Sequence, residues 1–462
     1  MRARRRGMVR AGMLSRHTVE LTAHAGLTVV LEAARAYGVD ELVDEHLCTD
    51  EGAERGYSEA WKLESLLLLI AAGGECVEDI RILAGDCGLE RLFEERFPSP
   101  DALHRFLASF HEEPAEGEEP KRGEARLRPE GKALAALRRV NEGLVHRIAA
   151  GDTSATIDVD ATIIESHKRD ALAHYKGGRG YQPVAAVWTE RDLVIADEFR
   201  DGNVPAGMQP KVCAERALEA LPASVTQRYL RGDSACYEQE LLKYLCAQEV
   251  QFAIGADMSV ELRDKCERHT QWRPLEQRAR EVAEVGEVEF EPGDWPKSAC
   301  PLRYVVVRLT AHQGELFGDG RTIKHLAIVS NRRELGAAEL VRWYWKKAGS
   351  IEQVHDVMKN GLAAGVLPSG RYGANAAWYR INAIAYNVLS VLRREALPAR
   401  LARVHPKRLR FEVLNIAGRI TEHAGERNVH LNAPEELADE IIAARRKLRA
   451  IYERRCVDAD SA

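Results

Sequence analysis

One short stretch, from Thr156 to Glu165, has the alternating pattern of a β-strand and carries two carboxylates on the same face. Its β-branched residues favour an extended backbone, and alternate side chains of a strand point to opposite sides. Asp158 and Asp160 therefore point the same way from an otherwise apolar strand. A carboxylate in such surroundings is costly unless something pairs with it, and a divalent metal ion is one suitable partner. Solvent exposure or a capping role at the strand end would explain one of the two equally well.

The composition is that of an ordinary globular protein. The chain has 462 residues, of which 45% are hydrophobic and 30% are charged, and this length predicts two or three domains. No apolar run is long enough to span a bilayer, so we expect no membrane partner. The basic leader, residues 1–19, lacks the apolar segment of a secretory signal and is expected to be disordered.

The cysteines and the net charge indicate the redox environment of the protein and the way in which it could bind DNA. The nine cysteines are scattered without a zinc-binding spacing, which predicts a reducing, cytoplasmic environment and no structural zinc. The formal net charge of −5 does not favour broad nucleic-acid binding. Any contacts with DNA are therefore expected to be concentrated in local basic patches.

The order of predicted elements divides the chain. Residues 20–150 are predicted to be helical, with a charged linker near 112–131, and helix signals at Ser99 and Pro100 mark one helix start. Residues 151–258 follow the order β-β-β-α-β-α-β. Residues 259–324 form a β-rich insertion, and the core resumes in 325–395 with a strand and two long helices, Ala338 to about Gly361 and Ala374 to Glu395. Residues 396–462 are expected to form a helical, basic C-terminal region.

Two later acidic residues stand where they could join the first strand. Asp233 follows a short strand and a glycine, at the carboxyl end where open α/β sheets place functional groups, although it could instead cap the next helix. Glu352 and Lys359 share one face of a predicted helix, which could equally be an exposed salt-bridged surface. If Asp160, Asp233 and Glu352 converge, their oxygen ligands suit two Mg²⁺ ions, for which Mn²⁺ can substitute.

This ordered set resembles the DDE transposases of bacterial insertion sequences, in the branch with a Tyr-Arg-Glu-Lys signature and a β insertion. The resemblance rests on Asp160-Ala161-Thr162, on Asp233-Ser234 and on the helix segment 351–360 that carries Glu352 and Lys359. It implies an α/β fold: a ribonuclease-H-like mixed sheet flanked by helices, with a β-rich insertion and an all-α N-terminal region. It departs from the signature upstream, because Trp345 and Ala348 occupy the Tyr and Arg positions.

The resemblance also implies an activity and its residues. It implies metal-dependent DNA cleavage and strand transfer at terminal inverted repeats, in the cut-and-paste manner, with Asp160, Asp233 and Glu352 as catalytic residues and metal ligands. Asp158 is the fallback ligand or a supporting residue. DNA contacts are implied for Lys359 and, one residue before the signature positions, for Tyr344 and Lys347, together with Trp345. Trp272 and Trp295 are candidates for stacking a flipped base, although either could simply be a core residue.

The implied partners are double-stranded DNA, both the inverted repeats and the target, and a second copy of the chain in a paired-end complex. The resemblance implies that the helical N-terminal region, 20–150, is a DNA-binding region, and that it holds the inverted repeats together with the basic C-terminal region. The implied setting is the bacterial cytoplasm, at the nucleoid when the protein is bound to DNA. Two alternatives stay open: a degenerate relative that binds DNA without cutting it, and a stand-alone nuclease with the same core.

Overall fold

The computed structural model describes residues 20–47, 56–113, 124–278, 281–312, 321–423 and 426–460. The expected leader, 1–19, and the middle of the charged linker, 114–123, lie outside these ranges. Within the described ranges, no helix is both long and apolar enough to cross a membrane.

The N-terminal region is almost entirely helical where it is described. The Oγ of Ser58 accepts the N–H of Trp61, and the Oγ of Ser99 accepts the N–H of Ala102, so each serine caps a helix at its start. The predicted helix start at Ser99 is confirmed. The elements are β1 Leu21–Thr22, α1 Leu27–Ala36, α2 Val39–His46, α3 Glu59–Ala72, α4 Ile80–Ala84, α5 Cys87–Phe93, α6 Pro100–Ala108 and α7 Lys132–Ile148.

The region that follows α7 alternates strands and helices. Its elements as far as residue 256 are β2 Ser154–Ala161, β3 Ile164–Glu165, β4 Leu172–Ala173, β5 Arg179–Tyr181, β6 Val184–Trp188, β7 Leu193–Glu198, α8 Lys211–Glu219, β8 Gln227–Gly232, α9 Gln239–Ala247 and β9 Gln251–Ala256. β2, β6 and β7 form an antiparallel meander, while β8 pairs in parallel with both β2 and β9. β3, β5 and β4 form a separate small sheet.

The insertion extends this sheet. Its elements are α10 Val260–Arg268, β10 Arg273–Arg278, β11 Glu281–Val288, β12 Arg303–His312 and β13 Arg321–Ser330. Each strand from β10 to β12 pairs antiparallel with the next strand in the chain, and β13 also pairs antiparallel with β9. The nine strands lie in the order β10-β11-β12-β13-β9-β8-β2-β6-β7. β13 runs across residues 324 and 325, so one strand belongs to both the insertion and the core.

Helices cover both faces of the sheet. Alternate residues of β6 belong to different cores, because Ala185 and Val187 join one hydrophobic cluster, whereas Ala186 and Trp188 join another. The first cluster includes the N-terminal helices and α13 Tyr372–Val391, all of whose residues are buried. The second includes α8 and α9. The mixed α/β fold class, with a large mixed sheet flanked by helices, is therefore confirmed.

The helix predicted from Ala338 to about Gly361 is not continuous. It is divided into α11 Ala337–Trp345, a 3₁₀ turn at Lys346–Gly349, α12 Ile351–Asp356 and a π turn at Val357–Gly361. The break falls at Gly349 and Ser350, and adjacent glycine and serine residues are a common cause of helix kinks. The prediction missed it because the apolar spacing continues across both residues.

The prediction that the C-terminal region is helical is wrong in part, because this region also contains two strands. Its elements are α14 Pro406–Leu409, β14 Gly418–His423, β15 Glu426–Leu431 and α15 Glu435–Asp460. β14 pairs with both β1 and β15, which ties the start of the described chain to its end. α15 packs on α1, where Arg445 forms an ion pair with Glu32.

One cysteine pair was not expected from the scattered spacing. Cys246, at the end of α9, forms a disulfide with Cys300 in the insertion, and their Cα atoms are 5.4 Å apart. The two residues are separated by 54 positions in the sequence. Only the fold brings them together.

Candidate active site

The first strand supplies two carboxylates with different surroundings. β2 lies inside the sheet between β8 and β6, and its apolar residues Ile157 and Val159 are buried beside those strands. Asp158 is fully buried, whereas the side chain of Asp160, near the carboxyl end of the strand, keeps 18% of its exposure. Of these two carboxylates, therefore, only that of Asp160 is open to solvent.

Asp158 is held by donors from three other elements, which we call the Asp158 cluster: Asp158, Thr189, Arg231 and Ser350. Arg231 donates from Nε to Oδ1 at 2.6 Å and from Nη2 to Oδ2 at 2.9 Å. The hydroxyls of Thr189 and Ser350 also donate to Oδ2. With both oxygens engaged by protein donors, Asp158 fits the supporting role rather than that of a metal ligand.

Asp233 lies beside Asp160 because their strands are parallel neighbours. Val159 of β2 is opposite Gly232 of β8, so the next residue of each strand emerges at the same edge of the sheet. A Cβ at Gly232 would lie 2.6 Å from the Cβ of Cys236, which leaves no room for a side chain there. Burial raises the pKa of the Asp233 carboxyl, the Lys347 ammonium opposes this shift, and the Asp160 carboxylate adds to it.

Lys347 and Tyr344 reach this pair of aspartates from the broken helix. The Nζ of Lys347 lies 3.5 Å from Oδ1 of Asp160, and the lysine is buried. Burial, with the nearby charge of Asp233, raises the pKa of the Tyr344 hydroxyl. A Cβ at Gly255 would lie only 2.9 Å from that hydroxyl, so glycine leaves the space that Tyr344 uses.

The two residues at the formal signature positions behave differently. Trp345 lines a cavity of about 330 Å³ together with Tyr344, Met258 and Leu326. The side chain of Ala348 is exposed. The structure thus directs Tyr344 and Lys347 to the aspartates, one residue earlier than the signature spacing.

Glu352 does not join Asp160 and Asp233 in this structure. It lies in the first turn of α12, and its side chain is exposed. Among the residues that the structure describes, no three or more His, Cys, Asp or Glu side chains are grouped so that they could hold a metal ion. The expected convergence of three carboxylates is therefore seen for two of them.

His355, one turn after Glu352, is a buried residue to which the sequence assigned no role. Burial lowers its pKa to about 4, and the charges of Lys359 and Lys347 act in the same direction. The Asp160 backbone opposes this lowering, although neither ring nitrogen has a partner with hydrogen-bond geometry among the described residues. The imidazole is consequently neutral at physiological pH.

Lys359 lies in the π turn and lines a polar cleft of about 460 Å³ beside the end of β2. Its Nζ donates to the carbonyl of Ile163 at 3.3 Å. Burial lowers the pKa of Lys359, and the positive charge of Lys176, which also lines the cleft, lowers it further. The cleft also contains Glu165 and the buried Gln182.

The two candidate stacking tryptophans are packed against protein. Trp295 is 9% exposed, belongs to the second hydrophobic cluster and donates from Nε1 to the carbonyl of Cys300. Trp272 is stacked on His325, with ring centroids 5.8 Å apart, and the guanidinium of Arg308 lies 4.6 Å from its ring centroid. Neither observation assigns a DNA contact to these residues.

Comparison with known proteins identifies the family. The profile of the family described as "Transposase DDE domain group 1" matches residues 13–452. The chain belongs to this family. A search of curated proteins finds no match for the transposase.

One solved structure similar to this transposase is that of the piggyBac transposase synaptic complex with hairpin DNA, determined by cryo-EM. The two chains are 12% identical, the match covers 83% of this chain and 76% of that chain, and the TM-score is 0.42. The likeness is too distant to assign residues or partners to this transposase.

The donor set of the transposase fits a hard divalent cation, of the kind that DDE transposases generally use. Asp160 and Asp233 offer only oxygen ligands, which suit Mg²⁺ or Mn²⁺. Burial is the main reason why the pKa of Asp233 is raised, and repulsion by the Asp160 carboxylate adds to that shift. A cation between the two carboxylates would relieve that repulsion.

Proposed function

We propose that this transposase belongs to an insertion sequence and moves it by cut-and-paste transposition. Water would cut the DNA at the terminal inverted repeats, and the freed 3′-hydroxyl would then join target DNA. The observation that supports this proposal is the adjacency of Asp160 and Asp233, at the carboxyl ends of two parallel strands in a family of DDE transposases.

Asp160, Asp233 and Glu352 are the proposed catalytic residues and ligands for two Mg²⁺ ions, with Mn²⁺ as a substitute. Such ions supply activation of the attacking oxygen and stabilisation of the leaving oxygen. Glu352 would complete the set by turning its exposed side chain, because α12 packs beside β2. Lys347 would balance the negative charge of the aspartates while the site lacks its full complement of cations.

The DNA backbone is proposed to pass over the polar cleft beside β2. Lys359 and Lys176 face this cleft, and two ammonium groups that repel each other are stabilised by a phosphate between them. Tyr344, Lys347 and Trp345 would contact the DNA on the other side of the aspartates. A homodimer would hold the two ends of the element together.

Two observations favour a second candidate function. Glu352 stands apart from the two aspartates, and Ala348 replaces the arginine of the signature. A degenerate transposase that binds the inverted repeats without cutting them would have these features. Binding that is independent of metal, without detectable nicks, would support this candidate.

Product analysis separates these functions. The purified full chain would be incubated with Mg²⁺ and a labelled duplex that ends in the inverted repeats flanking its gene. Cut ends together with products joined to a target duplex would support cut-and-paste transposition. Nicks that never progress to joined products would instead identify a nuclease, and an intact duplex would overturn both enzymatic proposals.

A further inference from the structure

Three residues of the Asp158 cluster each lie two positions before a proposed catalytic residue in the sequence. Asp158 precedes Asp160 by two residues, Arg231 precedes Asp233 by two, and Ser350 precedes Glu352 by two. The pairs lie in β2, at the carboxyl end of β8 and at the start of α12, where Asp233 directly follows β8 and Ser350 directly precedes α12. The first members of all three pairs meet at one buried carboxylate.

The contacts between the strands fix their relative height. Asp158 and Arg231 are directly opposite each other in the parallel pairing of β2 and β8, and their side chains are 0% and 2% exposed. Because the side chains at positions i and i+2 of a strand lie on the same face, this pair sets the level at which Asp160 and Asp233 follow. A slip of one residue would separate the pair and the aspartates together.

The contacts with the broken helix fix the third element. Ser350 donates its hydroxyl to Oδ2 of Asp158 and also contacts the carbonyl of Lys347. Arg231 donates from Nη1 to the carbonyl of Trp343 at 2.7 Å, so it reaches the end of α11 as well. The cluster thus binds the segment that carries both Lys347 and Glu352.

We propose that Asp158, Arg231 and Ser350 are positioning residues that hold Asp160, Asp233 and Glu352 in register for divalent metal binding. This inference rests on the proposed function of the same site. A buried ion pair is not required for stability, because apolar residues of similar volume often serve the fold as well. The ion pair here has a geometrical role. The Asp158 carboxylate accepts hydrogen bonds from Arg231 and Ser350, which lie two residues before the proposed ligands Asp233 and Glu352.

Ser350 offers the sharpest test, because Ser350→Ala removes one hydroxyl without leaving a buried charge unpaired. The matched control is Ser390→Ala, which removes a hydroxyl that donates to Asp192 at 3.1 Å, in α13 and outside the cluster. Ser350→Thr retains the hydroxyl and serves as the conservative variant. Thermal unfolding of each variant would be measured alongside the functional assays.

The readouts are Mn²⁺ affinity by calorimetry and, separately, kcat and KM for cleavage of inverted-repeat DNA. For Ser350→Ala we expect an ordered protein with unchanged KM, and a loss of roughly 10-fold to 100-fold in Mn²⁺ affinity and kcat, as for other residues that support metal ligands. Ser350→Thr should recover most of this loss, and Ser390→Ala should retain both values.

Two results would overturn the inference, and they differ from failure of the proposed function. Wild-type Mn²⁺ affinity and kcat in Ser350→Ala would show that the hydroxyl positions nothing. Equal losses in Ser350→Ala and Ser390→Ala, each in step with the melting temperature, would show a general effect of stability. A wild-type protein that neither binds Mn²⁺ nor cuts DNA would overturn the proposed function itself.

Discussion

Lys347 places its ammonium 3.5 Å from Oδ1 of Asp160, although the signature spacing assigns the cation to position 348. Lys347 lies in the 3₁₀ turn at Lys346–Gly349, which separates α11 from α12. Lys347 therefore brings a positive charge to Asp160 from one residue before the signature position.

The pH dependence of cleavage should report this lysine. The Lys347 ammonium lowers the pKa of Asp233 against the effect of burial, so Lys347→Met should raise that pKa. The acid limb of the rate profile should then move to higher pH, because a larger fraction of Asp233 is protonated at a given pH. Cleavage rates measured from pH 5 to 9 would check this, with the exposed neighbour changed in Lys346→Met as the control. An acid limb that moves to lower pH, or equally in both variants, would contradict the assignment.

Salt dependence should report the two lysines of the polar cleft. If Lys359 and Lys176 each contact a phosphate, each alanine variant should weaken DNA binding and reduce the slope of log affinity against log salt by about 0.9. Binding would be measured by fluorescence anisotropy in buffers of different salt concentration, without metal. Lys243→Ala, at a lysine already paired with Glu240, is the control. Slopes that equal that of wild type would exclude these phosphate contacts.

Acid should destabilise the protein through His355. Its folded-state pKa of about 4 lies below the ordinary value of 6.5, so the unfolded chain binds more protons between these values. The contribution of this residue therefore falls as pH decreases from 6.5 toward 4, by about 2 kcal/mol at pH 5. Urea unfolding of the metal-free protein at pH 7 and pH 5 should show a smaller difference for His355→Leu than for wild type. An equal difference in the two proteins would disprove this role.

The buried position of Trp295 leads to a prediction about stability. Trp295→Ala should reduce the free energy of unfolding by about 3–5 kcal/mol, because it empties a large volume within the second hydrophobic cluster. Trp295→Phe should recover part of that loss. If Trp295→Ala is as stable as wild type but cleaves DNA poorly, the base-stacking role that the sequence suggested would be favoured instead.

Local sequence patterns were sufficient to predict the positions of Asp160 and Asp233. They were not sufficient to predict the contact between Arg231 and Asp158. The β-branched stretch around Asp160 and the Gly232-Asp233 turn each predict a strand end, and parallel pairing then places the two carboxylates together. Arg231 could have been found by one signal, its same-face position two residues before Asp233. Its partner Asp158 is 73 residues away, however, and strand pairing at that distance is not encoded locally.

Two features were not predicted from the sequence: the helix break at Ser350 and the hairpin of β14 and β15. Ser350, at the break, donates a hydrogen bond to Asp158 in a distant strand, while the local apolar spacing favours a continuous helix. β14 pairs with its neighbour β15 and also with β1, which lies almost 400 residues earlier in the sequence. In each case the element also makes a contact with residues distant in the sequence, which local patterns do not reveal.

Metal-dependent cleavage by the three carboxylate variants tests the central claim most directly. Asp160→Ala, Asp233→Ala and Glu352→Ala would each be assayed with Mg²⁺ on DNA that ends in the inverted repeats, alongside wild type and an EDTA control. Wild type should cut only with metal, and each variant should lose cleavage while still binding the DNA. Cleavage that persists in all three variants, or in EDTA, would contradict the proposed two-metal site.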